Sequence, residues 1–167
     1  MSPRALRSLT ATLSLLALVA ALTLPRPAPA QEPDAKVVYH ADFADPQRFS
    51  AMLTSINNMM THYNDQLMEA DVRIVFVSHG LRFVTDDRLE ETPFETDEAL
   101  AERREDLRGR LLSLAEMHDV KLELCDITRS QVGLEESELY GPVTTVPSGV
   151  VRIAELQSRG FSYLKIE

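Results

Sequence analysis

The apolar residues of this chain follow two patterns in alternation: short runs of β-branched and aromatic residues, and longer stretches where they recur every three or four positions. The first pattern marks strands and the second amphipathic helices. Lys36-Val37-Val38-Tyr39-His40 predicts a first strand, bounded by the turn formers Asp42 and Asp45. Asp45-Pro46 sets an N-cap ahead of a proline suited to the first helical position. Phe49, Met52, Leu53, Ile56, Met59, Met60, Tyr63 and Leu67 repeat at helical spacing, which predicts a long helix from Pro46 to about Met68. The methionines read as core fillers.

Asp71 to Gly80 is the strongest strand signal, an almost unbroken apolar run without strict alternation. Such a run suits a strand buried on both faces of a parallel sheet, so it is expected at the centre, with His79 and Gly80 at its carboxyl end. Residues 85–98 turn acidic and predict an exposed loop that feeds a second helix marked by Leu100, Leu107, Leu111, Leu114 and Ala115. Val120 to Leu124 predicts a strand that ends on Cys125, followed at once by Asp126 and Thr128, residue types that favour helix starts. One or two short helical turns are expected between Arg129 and Tyr140, then a strand at Val143 to Val146. Pro147-Ser148-Gly149 opens a helix with Ser148 as N-cap, Gly160 is placed as its terminating glycine, and Phe161 to Ile166 closes the chain as a strand. Strands alternating with helices predict an α/β fold: a mainly parallel sheet of about five strands with helices on both faces.

Residues 1–30 read as an export signal. Arg4 and Arg7 precede an apolar run from Leu9 to Leu24, and Ala28-Pro29-Ala30 has the small-x-small form of a cleavage site. The expectation is a cleaved leader and a single domain over 31–167, periplasmic or secreted, with no membrane association after cleavage. Retention as an anchor is the alternative, set against an apolar run shorter than the ~20 residues of a spanning helix. Residues 31–167 carry 14 basic against 26 acidic side chains, a formal −12. That sign argues against nucleic acid as a partner.

Cys125 is the one cysteine in the chain, so an exported form has no internal disulfide. Position alone leaves two readings of it. At the carboxyl end of a parallel strand, beside a helix start, a thiol gains thiolate character and becomes a nucleophile or sulfur acceptor. Equally, free cysteine is a small hydrophobe often found in cores. A parallel sheet would bring His40, His79, Gly80, Cys125, Ser148 and Gly149 to one edge, with His79 the first choice of neighbour to trade a proton with the sulfur. His40, His79 and Cys125 could also supply three metal ligands, although no C-x-x-C or H-x-x-x-H spacing supports a metal assignment. No G-x-S-x-G elbow, P-loop or G-x-G-x-x-G occurs, and no cofactor is assigned.

Taken together, Lys36 to His40, the helix bearing Asn57-Asn58, the strand Val72 to Gly80, Leu124-Cys125, Val146-Pro147-Ser148-Gly149-Val150 and Leu156-Gln157-x-x-Gly160-Phe161-x-Tyr163 resemble the DsrE/DsrF-like family of small sulfur-relay proteins. The resemblance spans about residues 36–166. It implies homo- or hetero-oligomers and a persulfide carried on the cysteine matching Cys125, with sulfur handed between proteins rather than turned over as a small substrate. The donor and acceptor proteins are unknown from sequence. Where related sequences carry an asparagine shortly after the cysteine, this chain has Asp126-Ile127-Thr128, so one donor to the sulfur is expected to be missing. Two competing readings remain: a non-catalytic oligomeric binding or scaffold module with inert Cys125, and a periplasmic metal-binding protein.

Overall fold

The strands Ala35–Ala41 (β1), Ala70–Phe76 (β2), Lys121–Cys125 (β3), Val143–Val146 (β4) and Ser162–Leu164 (β5) form one parallel sheet in the order β4-β3-β2-β1-β5. The computed structural model describes residues 32–167, of which Pro33–Glu167 make one compact unit. The export-signal reading concerns residues outside the described part. Four helices complete the unit: Pro46–Asp65 (α1), Glu98–His118 (α2), Asp126–Gln131 (α3) and Gly149–Ser158 (α4). Among the described residues no helix is long and apolar enough to cross a membrane.

Connection handedness assigns the layers. From β1 to β4 the strands step in one direction, and α1 and α2 cover the face carrying Val37, Tyr39, Val72, Ile74, Phe76, Leu122 and Leu124. The connection from β4 to β5 steps back past three strands, and a right-handed crossover in that direction places α4 on the opposite face. There Ile153 and Leu156 pack on Val38, Val75 and Phe161. β2 is central and buried on both faces, as its composition predicts.

The helix ends follow from local chemistry. Asp45 Oδ1 accepts the Gln47 N–H at 2.7 Å, with Pro46 at the first helical position, and Asp97 Oδ1 accepts the Leu100 N–H at 2.8 Å. Phe49, Met52, Leu53, Ile56 and Met60 form the buried stripe of α1, each contributing roughly 1.5–3 kcal/mol by leaving water. α4 stops where Gly160, at φ +87°, donates to the Gln157 carbonyl while Phe161 donates to that of Leu156. This paired closure satisfies the last carbonyls and needs a glycine's left-handed freedom.

Three expectations are corrected. β2 ends at Phe76, not Gly80: Ser78 takes φ +53°, and the chain enters a 3₁₀ turn over Ser78–Phe83. The acidic loop is not simply exposed. Asp86, Asp87, Glu90 and Glu91 face solvent, but Thr85, Leu89, Phe94 and Thr96 are buried, because arginines supply the carbonyls of this irregular backbone with donors. Arg104 donates to the carbonyls of Arg82 and Thr85 and to Thr96 Oγ1, and Arg82 donates to the Glu95 carbonyl and Asp97. The closing strand is shorter than Phe161–Ile166 and pairs with β1 only over Ser162–Leu164.

Candidate functional site at the carboxyl edge of the sheet

Side-chain alternation along β3 decides where the thiol points. Leu122 and Leu124 enter the α1/α2 core, so Glu123 and Cys125 face α4. Cys125 ends the strand and stands at the N-cap of α3, the place usually held by Ser, Thr, Asp or Asn. It is 4% exposed. Gly149, the first residue of α4, lies directly against it: a Cβ there would stand 3.1 Å from Cys125 Cβ and 2.5 Å from Val77 Cγ2. Only a glycine lets the helix begin this close to the sheet. Ser148 caps α4, its Oγ accepting the Val151 N–H at 3.4 Å, so it serves the helix.

The sulfur therefore sits between two helix starts. Burial pushes the Cys125 thiol up, and the N–H groups of Gly149, Thr128 and Ile127 with the Thr128 hydroxyl pull it down further, so that it lies below the ordinary cysteine value. Cys125 accepts no cap hydrogen bond of ordinary geometry; these groups act as dipoles directed at the place where charge would develop. Thr128 is 6% exposed, and its Oγ1 accepts the Ser78 N–H at 3.1 Å, which leaves the hydroxyl hydrogen for the sulfur. The left-handed backbone at Ser78 aims that N–H, an instance of strain next to a site. Of the residues that follow Cys125, Thr128 is the side chain that lowers the thiol in place of the donor expected to be missing. Its position on the first turn of a helix capped by the cysteine was the available signal.

Beneath Cys125 lies a cluster that sequence reasoning missed. Glu123, 4% exposed, is held by Arg152 through Nε at 2.6 Å and Nη2 at 2.7 Å, and by Arg73 Nη1 at 2.8 Å. Arg73 in turn grips Asp71 at 2.9 and 2.7 Å and lies over the Phe161 ring. Burial raises the Glu123 carboxyl, and the two guanidiniums more than offset it, leaving it below the usual carboxylate range. A lone acid inside an apolar strand was the sequence signal for this cluster.

The remaining predicted residues do not gather on the sulfur. The His79 ring meets Phe94 edge-on at 5.3 Å, its Nδ1 is buried without a hydrogen-bond partner, and no hydrogen bond joins it to Cys125 among the described residues. Gly80 is closed off: a Cβ would stand 2.1 Å from the Ala41 carbonyl oxygen, so the glycine allows β1 and the 3₁₀ turn to approach. His40 lies on β1, two strands from Cys125, with Nδ1 3.0 Å from the Tyr163 hydroxyl and Nε2 3.9 Å from Asp42. Among the described residues no three His, Cys, Asp or Glu side chains group as metal ligands, so the triad of His40, His79 and Cys125 does not form. A cavity of 440 Å³ at the amino edge of the sheet, lined by Met60, Asn64 and His118, and one of 270 Å³ between α1 and α2 do not touch Cys125. The surface flanking the thiol is apolar: Ile127, Val150 and Val151 are 60%, 65% and 55% exposed.

Fold and site define a class of protein: a five-stranded parallel α/β domain holding a lone thiol between two helix starts. The family model of the DsrE/DsrF-like family matches residues 35–166, and the chain belongs to that family. Its fold is shared by the solved structure of a protein of unknown function, MTH1491 from Methanobacterium thermoautotrophicum, with a TM-score of 0.61 and 23% identity over 79% of this chain and 99% of that one. No curated protein matches the chain.

Proposed function

We propose that this protein carries sulfane sulfur as a persulfide on Cys125, receiving it from one partner and passing it to another. The observation that carries this reading is the seat of Cys125 between two helix starts, at the N-cap of α3 and with Gly149 of α4 directly against it, where N–H dipoles favour the thiolate. In the loading step the Cys125 thiolate attacks the outer sulfur of a donor persulfide R–S–SH. A new S–S bond forms to Cys125, the old one breaks, and its electron pair leaves on the thiolate R–S⁻. The outer sulfur keeps its proton, and no outside oxidant or reductant is needed. Delivery is the same exchange with an acceptor thiolate. His79 has no part in this scheme, since exchange between thiolates requires no separate base.

The apolar rim of Ile127, Val150 and Val151 is where a partner or a second copy of the chain would seat, bringing its sulfur to Cys125 and excluding water. Read as a leader, residues 1–30 would put this exchange in the periplasm or outside the cell; the mature amino terminus, expected at Gln31, tests that directly. The 4% exposure of Cys125 favours a second reading, a scaffold with an inert core cysteine.

Intact mass after incubation with polysulfide, for wild type and Cys125→Ser, decides between them. The carrier predicts a gain of whole sulfur masses on wild type alone. An unmodified wild type whose thiol also resists alkylation in the native state would leave the scaffold reading standing. Sedimentation of wild type against Val150→Glu tests assembly through the rim, with the variant expected to shift toward the monomer.

A further inference from the structure

The Arg73–Glu123–Arg152 cluster lies outside the two apolar clusters of the core and meets one of them where Arg73 lies over Phe161. Burying charge in this way is a poor route to stability, because well-packed apolar residues at such positions are often as stable or more so. What the cluster does have is a defined place relative to the thiol. Glu123 precedes Cys125 by two residues, so both side chains leave the same face of β3, about 6.6 Å apart along the strand. Arg152 follows Gly149 by three residues, so both lie on the sheet-facing side of α4, about 4.5 Å apart along the helix. α4 runs back from the carboxyl edge, antiparallel to the strands. Pairing Arg152 with Glu123 therefore brings Gly149 level with Cys125.

Apolar packing holds α4 on the sheet without fixing this register. Ile153, Leu156, Val38, Val75 and Phe161 make non-directional contacts that tolerate a small slide or rotation. The fork of Arg152 Nε and Nη2 on the two Glu123 oxygens does not, since a planar two-point contact sets both position and angle. Arg73 locks the same carboxylate from β2 and is itself held by Asp71. Gly149 lies close enough that an added Cβ would stand 2.5 Å from Val77 Cγ2 and 3.1 Å from Cys125 Cβ, and a displacement of the helix start would carry its N–H away from the sulfur.

We infer that Glu123, Arg152 and Arg73 form a positioning cluster that sets the first turn of α4, and with it the Gly149 N–H, against the Cys125 sulfur. None of the three touches the reacting atom. The cluster's purpose rests on the sulfur-carrier reading, whereas its geometry does not.

The chain's single cysteine makes the test direct. Labelling with ¹³Cβ-cysteine gives one NMR signal whose shift with pH reports the thiol midpoint, whatever the access of reagents to it. The variants are Glu123→Gln, Arg152→Met and the charge-neutral double replacement Glu123→Leu with Arg152→Met, which fills the space with apolar side chains and keeps the fold testable. Charge alone would move the first two in opposite directions: losing a carboxylate lowers the midpoint and losing a guanidinium raises it. Positioning predicts that all three raise it, by about one pH unit. In wild type the Gly149 amide proton shift should follow the cysteine titration, and in the variants it should cease to.

Opposite shifts in the two single variants, an unmoved midpoint in the double variant, or a wild-type midpoint at the ordinary cysteine value would each overturn the inference. Polysulfide loading measured on the same samples separates the two claims. Raised midpoints with no loading of wild type would uphold the positioning cluster and refute the carrier. Loading with unmoved midpoints would do the reverse.

Discussion

Two glycines show how much turns on a missing Cβ. At Gly80 the obstructing atom is the backbone oxygen of Ala41, 2.1 Å from where a Cβ would stand, and β1 cannot yield without breaking its pairing with β2. Gly80→Ala is expected to cost about 3 kcal/mol, the upper end of overpacking, in urea unfolding. At Gly149 the obstructing atoms are side-chain carbons of Val77 and Cys125, so those side chains and α4 can shift to make room. Gly149→Ala should cost only about 1 kcal/mol, yet weaken the hold on the thiolate and slow persulfide loading at neutral pH. A larger stability loss at Gly149 than at Gly80, or undiminished loading in Gly149→Ala, would refute this division between a packing glycine and a site glycine.

Among the elements, the connection from β2 to α2 differs most from its composition. Its acids suggest a solvated run, but its backbone is pinned at both ends by arginines and by Tyr140, whose hydroxyl shares its one hydrogen between the Thr85 carbonyl at 3.0 Å and Asp86 at 2.9 Å. Burial, with Asp86 beside it, pushes that phenol up to about 12, so it remains a donor throughout the physiological range. Arg104 contributes most, bridging Arg82, Thr85 and Thr96. Replacing it by Met keeps the apolar stem and removes those donors, leaving buried acceptors unmet. We expect a loss of about 2 kcal/mol and new protease cleavage confined to residues 86–95, with helix content unchanged by circular dichroism. Cleavage elsewhere first would mean that Arg104 serves the whole fold and not the loop.

For the molecule as a whole, stability should fall in two steps on acidification. His40 lies below the ordinary histidine value through burial, which outweighs the pull of Asp42. A group with a depressed native value contributes fully above its unfolded value, near 6.5, and that contribution is lost as pH falls through the native value. Glu123 behaves likewise lower down, contributing fully above about 4.3 and losing that contribution as pH drops through its depressed native value. Melting temperatures of wild type and His40→Gln should therefore run parallel above pH 7 and converge toward pH 5. Parallel curves over the whole range would show that His40 contributes nothing to the pH dependence.

Local chemistry was enough to determine which elements form and in what order, though not where β2 and β5 end. Asp45-Pro46, Asp97, Ser148 and Gly160 begin or end helices through atoms within a few residues of themselves, and the dense apolar run of β2 required a central place in the sheet whatever its neighbours were. The same signals put Cys125 at a strand end beside a helix start. What they could not supply was which groups share a face. His40, His79 and Cys125 all belong to the carboxyl edge, but His79 turns to Phe94 once Ser78 bends the chain, and β2 separates His40 from the thiol. Glu123 and Arg152 are 29 residues apart and meet only because the last crossover carries α4 back over the sheet. Caps and periodicity are fixed by neighbours along the chain; the surroundings of the sulfur are fixed by how the strands are ordered and on which side the last helix lies.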